Sequence, residues 1–195
     1  KGRAAHAGIA PQDGRNAAAE LIHQIQGMDV FPKTGDGLTA NLTVISGGAR
    51  NNIIPEDASA QFSVRVREKA DAEKVDAVMR KNAETTIIPD TKVTISRDPA
   101  FPPLPQNAAT EALADRAAAI YSGLGLTITR GGNGGASESA LAAEQGVPAL
   151  DGLGPAAGGF HSDSEYLVLG TVTPRLYLLT KLIMDLGRNP PPRMK

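Results

Sequence analysis

Two hydrophobic periods share the first hundred positions. In "NAAAELIHQIQGM", Ala18, Leu21, Ile22 and Ile25 recur at helical spacing, with Asp13 or Asn16 as candidate caps and Gly27 near the stop. Strict alternation takes over in "LTANLTVISGG", which reads as a strand through Leu42 and Val44 ending at Gly47–Gly48. "DASAQFSVRVRE" repeats that alternation through Ala60, Phe62, Val64 and Val66, which sets Ser63, Arg65 and Arg67 on the opposite face. A second helix is predicted from about Asp71 to Ala83, its apolar stripe made by Val75, Val78 and Met79. "KVTISRD" closes the set as a strand, and weak alternation over residues 3–8 supplies one at the start. The order strand, helix, strand, strand, helix, strand is the ferredoxin-like βαββαβ pattern, an antiparallel sheet with both helices on one face.

"DPAFPPLPQN" interrupts both periods, because its four prolines cannot continue a helix or a central strand. Beyond it the texture becomes α/β. Asn107 caps a predicted helix carrying Leu113, Ala117 and Ile120; "LTIT" reads as a strand, "ASESALAAEQG" as a helix, and "VPALDGLG" as a strand entering a glycine-rich loop. Thr173-Pro174 is read as the cap and first turn of a last helix with Leu176, Leu179, Ile183 and Leu186 on one side. The expected organisation is an α+β domain over residues 1–98, a partial α/β domain over 99–188 and a disordered tail over 189–195. Two or three strands are few for an open α/β sheet, so further sheet is expected from a segment outside the chain.

Composition narrows the function classes. Lys plus Arg at 20 nearly balances Asp plus Glu at 21, and no basic block is present, so no nucleic-acid partner is expected. No apolar run reaches the roughly 20 residues of a helical membrane span, so no membrane partner is expected either. With no cysteine there is no thiolate nucleophile or ligand, and any metal must be held by His, Asp or Glu. "KGRAAHAG" has neither an initiator Met nor the apolar core of a signal peptide; the chain reads as starting mid-sequence, which leaves the compartment undetermined.

Three groups of residues can carry chemistry. His161, in "GGFHSDSEY", follows a predicted strand at the edge where α/β sheets place their sites; it is a candidate metal ligand or a hydrogen-bonded surface histidine. His6, His23, Asp151, Asp163 and Glu165 show no metal-ligand spacing with it, so a zinc set is incomplete within the chain. Ser137, in "GGASES", imitates a nucleophile elbow, and Ser137, Asp151 and His161 follow the chain order of a serine hydrolase. Against that, Ser139 replaces the second glycine and the triad would close within 25 residues. Arg65 and Asn52 are either solvated strand-face residues or carboxylate binders, arginine offering a two-pronged fork and the amide a further donor.

The blocks "GRAAHAGIAPQDGRNAA", "NNIIPEDASAQFSVRVR", "SRDPAFPP", "GGASES", "GLGPAAGGFHSDSEY" and "PRLYLLTKLIMDLG", in this order, resemble the dinuclear zinc aminoacylase/carboxypeptidase superfamily, and within it the glutamate carboxypeptidase branch. The resemblance implies that the first domain is a lid that forms a homodimer and that residues 99–188 are the C-terminal part of a catalytic domain. It implies two zinc ions in the complete enzyme, with His161 as the last metal ligand and the other ligands and the general base in a segment before Lys1. It also implies that His6 donates to the tetrahedral oxyanion, that Asn52 and Arg65 hold the terminal carboxylate of a small acyl-amino-acid or peptide substrate, and that Ser137 lies beside the substrate. Glu165 is expected to orient the His161 ring, and Glu138 departs from the aspartate usual after Ser137 in such loops. On this reading the chain alone is inactive; the alternative is a ferredoxin-like oligomerisation or ligand-binding module without chemistry of its own.

Overall fold

A computed structural model describes residues 1–28, 38–98 and 101–192. It has mixed helix and strand content with small sheets, an α/β chain, and divides into two compact units, Lys1–Ala100 and Phe101–Lys195.

The first unit contains β1 (Ala5–His6), α1 (Ala17–Gly27), β2 (Thr39–Gly47), β3 (Ile53–Ile54), β4 (Ala58–Arg65) and α2 (Lys69–Ala83). β2 and β4 pair antiparallel from Gly47↔Ala58 to Thr39↔Arg65, with a register shift between Leu42 and Val44, while β1 pairs antiparallel with β3. Alternation along β4 sends Phe62 and Val64 into a small core around Met28 and Val75, joined by Leu38, Ala40 and Met79. Arg65 accordingly stands on the exposed face. Within α2, Asp71 lies in the first turn and Arg80 and Lys81 in the last, charges that complement the helix dipole.

The Asn16 side chain caps α1, accepting from the amides of Ala18 and Ala19 at 3.0 Å each. Its buried face differs from the predicted one. Ala17, Glu20 and Gln24 are buried, whereas Ile22 is 52% exposed. The reason is polar: the Glu20 carboxylate accepts from the amides of Ile87 and Ile88 at 2.9 and 2.8 Å and from Gln24 Nε2 at 2.8 Å. It thereby ties the segment after α2 to α1.

The predicted strand "KVTISRD" takes part in no sheet among the described residues, although Val93 and Ile95 alternate with exposed neighbours. Its first residue is tied to the start of the chain, where Lys1 and Lys92 exchange backbone hydrogen bonds at 2.8 and 2.9 Å.

The second unit is built on α3 (Ala108–Ser122) and α5 (Val172–Arg188), with α4 (Ser139–Glu144) and a hairpin of β5 (Ala157–Gly158) and β6 (Tyr166–Leu167). Asn107 and Thr110 cap α3 reciprocally, side chain to backbone in each direction. The core joins Leu113, Ala117 and Tyr121 to Leu178 and Leu182, with Leu186 packed against it. Arg116 reinforces the contact, reaching the Asp185 carboxylate and the Asn189 carbonyl.

The inward stripe of α5 is therefore Leu178, Leu182 and Leu186; Leu176 and Ile183, expected inside, are 64% and 67% exposed. The helix is apolar around much of its circumference, so spacing alone leaves its rotation open. Its cap also falls earlier than predicted: Thr171 occupies the cap position, and its hydroxyl bonds the Ala156 amide and the Val168 carbonyl instead of the helix. The segments read as strands at 126–129 and 147–150 join no sheet among the described residues, a ladder needing a neighbour that none of these residues supplies. Residues 29–37, residues 99–100 and, of the expected disordered tail, residues 193–195 lie outside the described residues.

Candidate functional site

In the first unit the β1–β3 ladder brings two of the candidate residues together. His6 sits opposite Ile53, and the Ala7 amide donates to the Asn52 carbonyl at 2.9 Å, so His6 and Asn52 flank one ladder end. Both are exposed. The His6 ring is itself anchored: Nδ1 accepts from the Gly8 amide at 3.2 Å and the Ile9 amide at 3.1 Å. The Ala10 amide donates to the His6 carbonyl at 3.1 Å, which closes the turn. This tether by Gly8 and Ile9 escapes a reading of spacing, since backbone donors leave no side-chain signature; a glycine two positions after the histidine is the only hint.

Arg65 is placed elsewhere in the same unit. Asn52 lies in the connection beyond the Gly47↔Ala58 pair, whereas Arg65 pairs with Thr39 at the other end of the hairpin. Arg65 lies seven residue steps beyond Ala58 along β4, a run of about 23 Å. No hydrogen bond or ion pair joins Arg65 to Asn52 or His6 among the described residues.

In the second unit His161 occupies the tight loop between β5 and β6. Its backbone is left-handed, φ 61°, as is that of Gly159 at 67°. A non-glycine residue pays roughly 1 kcal/mol for that conformation, and such strain persists where the surroundings over-determine it. Here they do. The His161 amide donates to Glu165 Oε2 at 3.1 Å, the Ser162 amide and hydroxyl donate to the Gly159 carbonyl at 3.2 and 2.7 Å, and the Glu165 amide returns to the Ser162 carbonyl at 3.1 Å. Glu165 thus holds the backbone of His161. His161 is exposed.

Ser137 is half-buried before α4, and its hydroxyl accepts from the Ser139 amide at 3.1 Å, a cap-like bond at the helix entry. Ser139 donates its own hydroxyl to the Leu150 carbonyl at 2.9 Å. No hydrogen bond joins Ser137 to Asp151 or His161 among the described residues, so the elbow of a serine hydrolase is not assembled here.

A zinc ion takes about four nitrogen or oxygen ligands. Among the described residues no three of His, Asp or Glu converge into such a set. One exposed residue, His161, does not by itself fit a dinuclear centre.

Comparison with known proteins supplies the wider context. A family profile described as the peptidase dimerisation domain matches residues 1–91. The chain is 35% identical over 196 residues to carboxypeptidase G2 from Pseudomonas sp. (strain RS-16), a match covering 95% of this chain and 45% of that protein. It is 39% identical over 71 residues to a p-aminobenzoyl-glutamate hydrolase homolog of Haemophilus influenzae, covering 36% of this chain and 17% of that protein. In fold it resembles aminopeptidase PepT from Bacillus cereus, with TM-score 0.63 at 19% identity over 96% of this chain and 50% of that one. The chain thus spans about half the length, or less, of these larger relatives. Residues 1–91 thus match the M20 peptidase dimerisation domain family, and the similarity to carboxypeptidase G2 continues through the second unit.

Proposed function

We propose that this chain is the dimerisation lid and the C-terminal catalytic portion of a zinc-dependent exopeptidase or amidohydrolase. Its substrates are acyl or peptidyl compounds from which a C-terminal glutamate-type residue is removed. The observation that carries this reading is the similarity to carboxypeptidase G2 across 95% of the chain, which takes in both units and not the lid alone. His6 donates a hydrogen bond to the oxyanion that develops at the scissile carbonyl. Asn52 and Arg65 hold the substrate's free carboxylate, a task suited to an amide donor and a guanidinium fork, and Ser137 lies beside the bound substrate. His161 contributes one zinc ligand to a centre whose remaining ligands come from outside this chain, and Glu165 steadies the loop that presents it.

The placement of these residues supports a homodimer in particular. His6 and Asn52 lie at one end of the β2–β4 hairpin and Arg65 at the other, so a carboxylate held by both Asn52 and Arg65 is shared between two lids. β2 offers the means of pairing: Leu42, Val44 and Ile45 are 41%, 47% and 57% exposed on a strand bonded to β4 alone among the described residues. Such an edge is a ready template for another strand.

The test has two arms. The 195-residue chain alone should not hydrolyse an acyl-glutamate, and turnover by it would refute the reading. In the full-length protein, His161→Ala should lower the zinc content measured by elemental analysis; unchanged stoichiometry would remove His161 from the ligand set.

A further inference from the structure

We infer that the turn following β1 sets the tautomer of His6, with the backbone amides of Gly8 and Ile9 acting as the positioning groups. The inference deepens the role proposed for His6 and rests on that reading for its catalytic meaning, though not for its structural content. A neutral imidazole has one nitrogen that donates and one that accepts. At His6 the Nδ1 atom receives two N–H donors, from Gly8 at 3.2 Å and Ile9 at 3.1 Å. A proton on Nδ1 would face both of them, so the ring is held with Nδ1 bare and the proton on Nε2. No group among the described residues bonds Nε2, which leaves its N–H available to an incoming acceptor.

The surrounding backbone makes this a fixed arrangement. Before the ring, Ala5 and His6 are paired with Ile54 and Ile53. After it, the Ala7 amide is bonded to the Asn52 carbonyl and the Ala10 amide to the His6 carbonyl, and Pro11–Asp13 forms a 3₁₀ turn. The strand and the turn therefore fix the backbone on both sides, and the two amides fix the ring between them. A donor preset in this way needs no tautomer change when negative charge develops on a substrate oxygen, which is the condition for preorganised stabilisation. The turn that anchors the ring is also the one whose Ala7 amide engages Asn52, so the orientation of His6 and the position of Asn52 are mechanically coupled.

The decisive experiment is long-range ¹H–¹⁵N NMR on the 195-residue chain near pH 8.5, about two units above the reference imidazole value. The three histidines are assigned by replacing His23 and His161 singly. The expected result is an Nε2–H tautomer for His6, together with a scalar coupling across the hydrogen bond from the Gly8 or Ile9 amide to Nδ1. An Nδ1–H tautomer, or no coupling with both amides exchanging freely, overturns the inference. The catalytic meaning is tested separately in the full-length hydrolase. His6→Gln places an amide donor near the Nε2 position, and His6→Asn places one near Nδ1. With the donor at Nε2, the Gln variant should keep at least tenfold more kcat than the Asn variant at similar KM. Equal kcat losses alongside the expected NMR result would leave the tautomer standing and remove the oxyanion role.

Discussion

Replacing Glu20 by alanine probes the part of the first unit where burial runs against hydropathy. Glu20 is 3% exposed, and its carboxylate accepts from the Ile87 and Ile88 amides and from Gln24. Gln24 Nε2 retains the Thr85 carbonyl at 2.8 Å after the substitution, but the two backbone donors lose their acceptor. At about 1–3 kcal/mol for each orphaned donor, the cost is about 2–6 kcal/mol. That is a large share of the roughly 5–15 kcal/mol that stabilises a domain of this size.

Urea unfolding followed by far-UV circular dichroism is the appropriate assay. Tyr121, Tyr166 and Tyr177, all the tyrosines of the chain, lie in the second unit, and there is no tryptophan, so intrinsic fluorescence does not follow the first unit. Hydrogen exchange at Ile87 and Ile88 adds a local readout and should accelerate in the variant. Acid supplies a sign test. Burial pushes the Glu20 carboxyl upward more than any other single influence, but the bonds from Gln24, Ile88 and Ile87, with His23 nearby, together prevail and hold it below its ordinary value. A carboxyl lowered on folding contributes stability that is complete above the unfolded value of about 4.3 and is lost as pH falls through the folded value. The gap between wild type and Glu20→Ala should therefore narrow below about pH 4. Equal stability at pH 7, or a gap that widens in acid, would refute the argument.

In the second unit, Leu178 is fully buried among Leu113, Ala117, Tyr121 and Leu182, so Leu178→Ala should cost about 2–5 kcal/mol. Tyr121 sits in the same cluster, so its fluorescence in urea reports the loss; a change below about 1 kcal/mol would contradict the packing described. The proposed sharing of a carboxylate between two protomers is open to complementation in the full-length protein. Asn52→Ala and Arg65→Ala should each be nearly inactive alone, and random mixing of the two should restore roughly a quarter of wild-type sites, since each mixed dimer regains one intact site. No recovery on exchange of protomers would place both residues in one protomer's site.

Much of the local architecture is legible in residue order because it depends on near neighbours. Asn16 and Asn107 cap the helices that follow them, as their side-chain chemistry predicts. The alternation of Phe62 and Val64 against Ser63 and Arg65 selects the inner face of β4 correctly. Helix rotation was less legible. α1 turns Glu20 and Gln24 inward although Ile22 was available, and α5 buries Leu178 and Leu182 while leaving Leu176 and Ile183 outside. In the first case two distant amides require an acceptor, and in the second several faces are apolar enough to pack. Strand readings at 92–98, 126–129 and 147–150 met a related limit: alternation marks a surface suited to a sheet, whereas a ladder also needs a neighbour.

The candidate residues divide along the same line. Their chemical types, and the ordered blocks that resemble a hydrolase family, are properties of the chain read in one dimension. The placement of His6 beside Asn52, with Arg65 at the opposite end of the hairpin, follows from antiparallel pairing between strands distant in the chain. The anchoring of the His6 ring by Gly8 and Ile9, and the left-handed backbone of His161 held by Glu165, follow from turns closed by main-chain donors. Backbone amides are the same at every non-proline position, so residue identity carries little record of where they point. Local preference therefore determined which residues could cap, alternate or react, and long-range pairing decided which of them meet.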